Sequence, residues 1–274
     1  MKTRPIVFQA SNVISVIAVI TVNSLVNILP LNGVTTAQVS DSYPNLFTPP
    51  GYVFSIWGII YALAVVFMIY QVRPSQRSAA YLTQINFLYL ISAIANVSWL
   101  FIFQYSYGVP QLFVISLVPM IALLLCLVSM YRRLGIGRVR VPRNQKLAIH
   151  VPISVYLGWI SLATIANIAS VLNVLIPGIP ISTQALWTAL VLVVAMAITI
   201  IMIRTRSDLA FGLVVIWASI GIAYNRVATP LVFATAIATA SLIAILIIAT
   251  PFLKKTGLTS YDTTAIGKPG ERHT

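Results

Sequence analysis

Charged side chains are scarce in this sequence. They make up 8% of its 274 residues, whereas a soluble domain carries roughly one quarter, and hydrophobic residues make up 59%. A chain with so little charge cannot cover a folded surface with groups that water solvates, which excludes an ordinary soluble domain. We therefore predict an all-α protein that crosses a membrane several times, because continuous apolar runs favour spanning helices over the alternating pattern of barrel strands.

Acidic residues are especially rare. The four acids are predicted to lie in loops, at a helix end or in a C-terminal tail: Asp41, Asp208, Asp262 and Glu271. A carboxylate is therefore not expected within the membrane, where transporters coupled to protons or sodium ions generally place ionisable residues. This disfavours an ion-coupled transporter. Asp208 is instead predicted to cap the N-terminus of a helix and to pair with Arg206.

Residues that carry nucleophilic, acid–base or metal chemistry are equally few. The histidines are His150, predicted at the start of a helix, and His273 in the tail, and the single cysteine is Cys126. Two distant histidines do not form a site with several metal ligands, and one cysteine cannot form an intramolecular disulfide. The sequence also contains no Ser-His-Asp set and no glycine-rich phosphate loop. It therefore predicts neither an enzyme nor a required cofactor.

Long apolar segments dominate the rest of the chain. About 20 helical residues span the hydrocarbon core of a bilayer. Eight segments approach or exceed this length: residues 6–29, 52–72, 80–103, 111–131, 149–171, 182–203, 209–224 and 227–252. The seventh is the weakest prediction, because it is short and runs into Arg226 and Pro230. Residues 254–274 are polar and without periodicity, and this tail is predicted to be disordered.

All but one of the 17 Lys and Arg residues fall on one predicted side of the membrane, and Arg226 alone is left for the other. Lys and Arg accumulate in cytoplasmic loops, so both termini are predicted to be cytoplasmic and the number of helices to be even. Nothing resembles an organelle transit peptide, which favours the inner membrane of a prokaryote. The net charge of +13 thus indicates membrane topology rather than nucleic-acid binding.

The loop before the second helix leads into an aromatic helix face. Residues 49–51, Pro-Pro-Gly, hold the backbone extended and then permit a turn, so the helix is predicted to begin near Tyr52. Phe54, Trp57 and Tyr61 follow with the spacing i, i+3, i+7 and share one face. The apolar loop is predicted to fold over the helix ends as a lid.

Two further helices carry stripes that mix Asn with aromatic or small residues: Asn96, Trp99 and Phe103 on the third, and Trp159, Ala163 and Asn167 on the fifth. An Asn within hydrocarbon needs hydrogen-bond partners, and an indole offers a flat apolar face with one N–H donor. This mixture suits a planar amphipathic ligand such as a tetrapyrrole. The same stripes could instead only pack the bundle and link its helices.

These segments resemble the TspO/MBR family, the tryptophan-rich sensory proteins also known as peripheral benzodiazepine receptors. The similarity is carried by residues 49–57, 94–103 and 150–168 and covers about 43–173, so the chain looks like an extended bacterial member. The resemblance implies a five-helix bundle over residues 1–176, with three additional helices over 177–253. It also implies a ligand pocket lined by Trp57, Asn96, Trp99, Trp159 and Ala163, with Asn167 adjacent.

Four neighbouring residues complete the predicted site. Pro50 and Tyr52 would position the lid and the top of the pocket, while Tyr61 and Phe103 continue the stripes of Trp57 and Asn96. The resulting hypothesis is a membrane receptor, sensor or carrier that binds porphyrin, haem or another flat hydrophobic ligand. A transporter or exporter of small amphipathic solutes and a light-dependent porphyrin-degrading enzyme are the alternatives. Dimerisation is common in the family, and a homodimer is a further expectation.

Overall fold

The structure, a computed structural model, describes residues 3–255 as helices joined by short loops. Eight helices in this range are long: α1 (Thr3–Ile28), α2 (Ile56–Gln71), α3 (Leu88–Tyr105), α4 (Pro110–Arg133), α5 (Val151–Leu175), α6 (Ile181–Arg206), α7 (Leu209–Asn225) and α8 (Pro230–Lys255). The predicted all-α membrane class is confirmed. The tail that the sequence predicts to be disordered lies outside the described residues from residue 256 onwards.

Seven helical segments of the described range are long and apolar enough to cross a membrane. One of them, Gly51–Gln71, is α2 together with the 3-10 turn that precedes it. The exception is α7, whose 17 residues correspond to about 25 Å of helix at a rise of about 1.5 Å per residue. Asp208, just before α7, accepts a hydrogen bond from Tyr131 near the end of α4. Arg226, just after α7, donates to Leu46 in the loop that follows α1. Helix α7 therefore runs between opposite ends of the bundle as one continuous helix.

A loop segment lies at one end of the bundle, and basic residues lie at the other. We call residues 43–50 the lid segment, and the end of the bundle where it lies the lid end. The opposite end, where α4 finishes with Arg132 and Arg133, is the basic end.

The third predicted span is divided. A short helix (Ala80–Ile85) precedes α3, and Asn86 separates the two with φ 42° and ψ −129°. A positive φ breaks the repeat of helical hydrogen bonds, and the Asn86 side chain accepts one from the backbone N–H of Leu88 at 3.2 Å instead. The spanning helix therefore begins at Leu88 and not at residue 80 as the sequence predicts.

The first five long helices close a ring in the order α1, α3, α4, α5, α2. Helix α7 packs against α5 from outside this ring, and α6 and α8 pack on α7. Gly158 permits the close approach of α5 and α7, because a Cβ atom at this position would lie 3.2 Å from Cβ of Val214. The three C-terminal helices are thus attached to the ring chiefly through α5 and α7.

Buried amides link helices within the ring. Asn23 of α1 donates to Oδ1 of Asn96 on α3 at 2.8 Å, and Nδ2 of Asn96 donates to the hydroxyl of Tyr156 on α5 at 3.1 Å. Nearer the basic end, the side-chain amides of Gln9 on α1 and Gln71 on α2 each donate to the backbone carbonyl of the other residue. Such bonds satisfy polar groups in an apolar interior and fix how the helices are aligned.

Asp208 caps α7 as predicted, since its Oδ1 accepts from the backbone N–H of Phe211 at 3.2 Å. The predicted pairing with Arg206 is wrong. The Arg206 guanidinium donates to a loop carbonyl at 2.8 Å and lies 5.1 Å from the centre of the Tyr131 ring. Asp208 Oδ2 instead accepts from the hydroxyls of Tyr131 and Ser154, both at 2.8 Å, and so joins α7 to α4 and α5.

Candidate ligand-binding pocket

A cavity of about 60 Å³ lies at the lid end, between α2, α3, α4, α5 and α7, and the lid segment covers it. Its lining is aromatic and apolar with a few polar groups: Ser40, Phe47, Thr48, Pro49, Phe54, Trp57, Trp99, Phe103, Phe113, Met120, Trp159, Leu162, Ala163, Ala166, Asn167, Ser170, Ala218 and Ile222. A cavity of this size holds a few water-sized groups. A ligand as large as a tetrapyrrole therefore requires the lid segment or the helices to move.

Aromatic rings form two groups in the cavity wall. Where α5 meets the start of α2, the Trp159 ring contacts the rings of Phe54, in the turn before α2, and Trp57 nearly at right angles, with centroids 5.8 and 6.3 Å apart. On α3, the rings of Trp99 and Phe103 lie 4.9 Å apart and are inclined by 31°. Edge-to-face and tilted contacts of this kind hold ring planes in fixed orientations. The wall therefore presents rigid, flat apolar surfaces.

Three buried polar atoms of cavity-lining residues have no hydrogen-bond partner among the described residues. They are Nε1 of Trp99, Nε1 of Trp159 and Oδ1 of Asn167. The amide nitrogen of Asn167 donates to the Ser116 hydroxyl at 3.3 Å, so only its oxygen is unpaired. A buried polar group without a partner costs about 1–3 kcal/mol, which a suitable ligand could recover. The residues of the cavity wall thus carry two buried donors and one buried acceptor that no described residue satisfies.

The start of the lid segment is fixed by Tyr43. Its ring stacks on Phe113 with centroids 3.9 Å apart, and its hydroxyl donates to the carbonyl of Ser106 after α3. Burial raises the pKa of Tyr43, so the phenol stays protonated and remains a donor. The Ser170 hydroxyl of α5 donates to the Tyr43 carbonyl at 2.7 Å. The lid segment is therefore tied to α3, α4 and α5.

Asn45 shapes the middle of the lid segment. Its Oδ1 accepts from the backbone N–H groups of Phe47 and Thr48, both at 2.8 Å, which is a local turn typical of Asn. Its Nδ2 donates to the Ser170 hydroxyl at 2.6 Å. This turn directs the buried Phe47 side chain into the cavity lining.

Six of the ten predicted site residues line this cavity: Trp57, Trp99, Phe103, Trp159, Ala163 and Asn167. They come from three helices of the ring. The small side chain of Ala163 lies one turn after Trp159 and one turn before Asn167 on α5, so it leaves room between two larger groups.

Two predicted residues lie deeper in the ring. Asn96 is fully buried, and its amide is bonded to Asn23 and Tyr156 rather than lining the cavity. Tyr61 stacks on Trp57 with centroids 5.7 Å apart and lines a second cavity of about 30 Å³, which Trp57 also lines. Trp57 therefore lies between two small cavities.

The two remaining predicted residues face α7. A Cβ atom at Gly221 of α7 would lie 3.6 Å from Pro50, so the two elements are in close contact here. The Tyr52 ring, half exposed, meets the rings of Trp217 and Tyr224 edge-on, each at 6.0 Å. Pro50 and Tyr52 therefore connect the segment at the start of α2 to α7.

Sequence reasoning missed part of the wall. Ala218 and Ile222 of α7, and Phe113 and Met120 of α4, line the cavity although no motif marks them. One signal was available in the sequence: Arg226, which follows α7, is the cation that falls away from the basic side. In the structure, Arg226 and the end of α7 lie beside the lid segment.

Comparison with known protein families gives one match. A family model described as TSPO-like protein matches residues 9–249, a range that includes most of α1, all of α2 to α7 and most of α8. No curated protein and no solved structure matches the chain.

Proposed function

Because the chain belongs to the TSPO-like family, we propose that it binds porphyrin or another flat hydrophobic ligand in the aromatic cavity and acts as a sensor or carrier for it. The chain is a multi-pass membrane protein, so such a ligand reaches the bundle from the bilayer or its surface. The observation that carries the proposal is the set of three unpaired polar atoms among aromatic walls. These walls would stack against a planar ligand, and the polar atoms would orient it.

The composition of the wall supports binding rather than acid–base catalysis. Of the described residues that line the cavity, none is Asp, Glu, His, Cys, Lys or Arg. The polar lining consists of hydroxyl, amide and indole groups, which accept or donate hydrogen bonds without changing protonation near neutral pH. A receptor or carrier needs only these groups.

Binding of protoporphyrin IX to the detergent-purified protein tests the proposal, with quenching of tryptophan fluorescence as the signal. We expect saturable quenching, and we expect Trp159→Ala to raise Kd roughly 5- to 30-fold, which corresponds to the loss of about 1–2 kcal/mol of aromatic contact. Trp187→Ala is the matched control, because Trp187 lies on α6, partly exposed, and does not line the cavity.

The control separates the loss of a fluorophore from the loss of a contact, since both variants remove one of the five tryptophans. Equal affinity in the wild type and the Trp159→Ala variant would reject the pocket. Non-saturable quenching in every variant would reject porphyrin as a ligand.

Transport of a small amphipathic solute is a second candidate. The observation that favours it is the pair of cavities on either side of Trp57, at about 60 and 30 Å³, which could form successive positions along a path. A solute-flux assay in proteoliposomes distinguishes the two functions. A porphyrin sensor or carrier shows no flux of the small solute, whereas a transporter of that solute shows flux that a larger or smaller side chain at Trp57 alters.

We also propose that the basic end faces the cytoplasm of a prokaryotic cell and the lid end faces outward. The proposal rests on the clustering of Lys and Arg at one end. Labelling of single cysteines, each introduced into a Cys126→Ala background, in intact cells with a membrane-impermeant thiol reagent tests this orientation. Tyr107→Cys at the lid end should react, and Arg140→Cys at the basic end should react only after permeabilisation; the reverse pattern would refute the orientation.

A further inference from the structure

The guanidinium of Arg226 lies against the lid segment. Its Nε donates to the carbonyl of Leu46 at 3.0 Å, and one terminal nitrogen donates to the carbonyls of Asn45 at 2.5 Å and Thr48 at 3.4 Å. Arg226 is half-buried, and this burial lowers its pKa. The planar fork of donors in an Arg side chain can bind several carbonyl groups at once, which a Lys ammonium does not reproduce.

Helix α7 holds the residues after the lid segment as well. Trp217 Nε1 donates to the carbonyl of Val53 at 3.0 Å, in the turn that precedes α2. Gly221 lets this turn approach, because a Cβ atom there would collide with the Val53 side chain and lie 3.4 Å from Pro49. Both the lid segment and the turn after it are therefore hydrogen-bonded to α7 or to the residue that follows it.

The same helix is part of the cavity itself. Ala218 and Ile222, which are almost fully buried, line the cavity directly beside these contacts. One side of α7 thus forms part of the cavity wall, and the C-terminal end of α7 contacts the lid segment. Movement of α7 away from α5 would open the cavity wall and break the contacts with the lid segment.

We propose that Arg226 is a positioning residue that latches the lid segment over the cavity, so that α7 controls access of ligand from the lid end. This inference rests on the proposed function for the identity of the ligand, but not for the latch itself. The lid carbonyls gain charge-assisted hydrogen bonds from Arg226 in the closed state, and these must break before a ligand larger than the cavity enters.

The latch is tested by the reactivity of a cysteine beneath the lid. The reporter is Ala218→Cys in a Cys126→Ala background, because Cys126 is the single natural cysteine. A small uncharged methanethiosulfonate reagent is added from the aqueous phase, so that the loss of a positive charge does not itself change the reaction rate, and the rate of modification is measured. Arg226→Gln should increase this rate about tenfold, as expected when hydrogen bonds from a charged group are lost. Arg226→Lys, which keeps the charge without the fork, should give an intermediate rate.

Arg204→Gln is the matched control, since it removes the same charge from an exposed position near the basic end. It should leave the rate unchanged. An Arg226→Gln rate within twofold of the wild-type rate would overturn the latch. Trp217→Phe serves as an independent variant if Arg226→Gln does not fold: it removes the N–H bonded to Val53 while keeping an aromatic ring, and it should raise the rate by a smaller factor.

Protoporphyrin IX dissociation rates distinguish this inference from the proposed function. Faster dissociation in Arg226→Gln together with faster thiol modification supports both. Faster thiol modification without porphyrin binding in any variant would keep the latch and reject the ligand. Normal thiol modification with intact porphyrin binding would keep the ligand and reject the latch.

Discussion

At the scale of single residues, the cavity combines flat apolar surfaces with a small number of unpaired polar atoms. Trp99 and Trp159 each bury an indole N–H without a partner among the described residues, and Asn167 buries an unpaired oxygen. Asn96, by contrast, has both ends of its amide satisfied by neighbouring helices. On the proposed function, this difference predicts which of these residues a ligand uses and which one chiefly holds the bundle together.

This distinction predicts opposite behaviour for Asn96 and Trp159. Asn96→Ala should lower the free energy of unfolding by about 1–2 kcal/mol, because two interhelical hydrogen bonds are lost, while the Kd for protoporphyrin IX changes by less than about twofold. Equilibrium unfolding in detergent and the fluorescence titration measure the two quantities. Gln111→Ala, at an exposed amide of α4, should affect neither. A Kd that rises in Asn96→Ala as much as in Trp159→Ala would place Asn96 in the pocket after all.

Helical spacing predicts which residues share a face, but not what lies opposite that face. The spacing of Trp159, Ala163 and Asn167 placed them on one stripe, and the structure brings all three to the cavity. The stripe of Asn96, Trp99 and Phe103 is equally regular. Trp99 and Phe103 reach the cavity but Asn96 does not, because Asn23 and Tyr156 occupy the space around the Asn96 amide. Those partners come from distant parts of the chain and leave no local signal.

At the scale of helices, α7 shows how tertiary contacts override a weak sequence signal. Its shortness and the Arg226–Pro230 boundary made it the least certain span, yet it is a continuous helix packed against α5, α6 and α8. Half or more of its residues are buried among these neighbours. Capping by Asp208 at one end and lid contacts at the other define its limits, and those contacts are not visible in hydropathy.

Asp208 is predicted to matter most for the attachment of α7. Asp208→Ala removes the N-cap and leaves the hydroxyls of Tyr131 and Ser154 without their acceptor, so the free energy of unfolding should fall by about 2 kcal/mol or more. Asp208→Asn keeps an oxygen acceptor and should lose less. Thermal or denaturant unfolding of the purified protein gives the values.

Asp41→Ala is the comparison for this experiment, because Asp41 is an exposed acid at the end of a short helix. It should leave stability within about 0.5 kcal/mol of the wild type. Equal stability of the Asp208→Ala and Asp41→Ala variants would show that the buried carboxylate does not hold α7 in place.

At the scale of the whole molecule, five helices form a ring and three more attach to it on the side of α5, while the cavity lies between four of the ring helices and α7. The sequence was sufficient for the class and for the number of long helices, since both follow from the length and spacing of apolar runs. It was not sufficient for the order of helices in the ring, or for the contact between α7 and the lid segment. The helix order and this contact depend on which helix faces pack against each other, as at Gly158 and Gly221, where the lack of a side chain permits close approach.

The most direct test of the account is to fill the cavity and measure ligand binding. Ala163→Leu places a larger side chain in the wall between Trp159 and Asn167 without removing any aromatic or polar group. Ala197→Leu, at an exposed position of α6, makes the same substitution away from the cavity. Alanine and leucine both have high helix propensity, so neither substitution should disturb the backbone. Binding of protoporphyrin IX should weaken at least about tenfold in Ala163→Leu and remain unchanged in Ala197→Leu. Equal, saturable binding by both variants would contradict the assignment of the cavity as the ligand site.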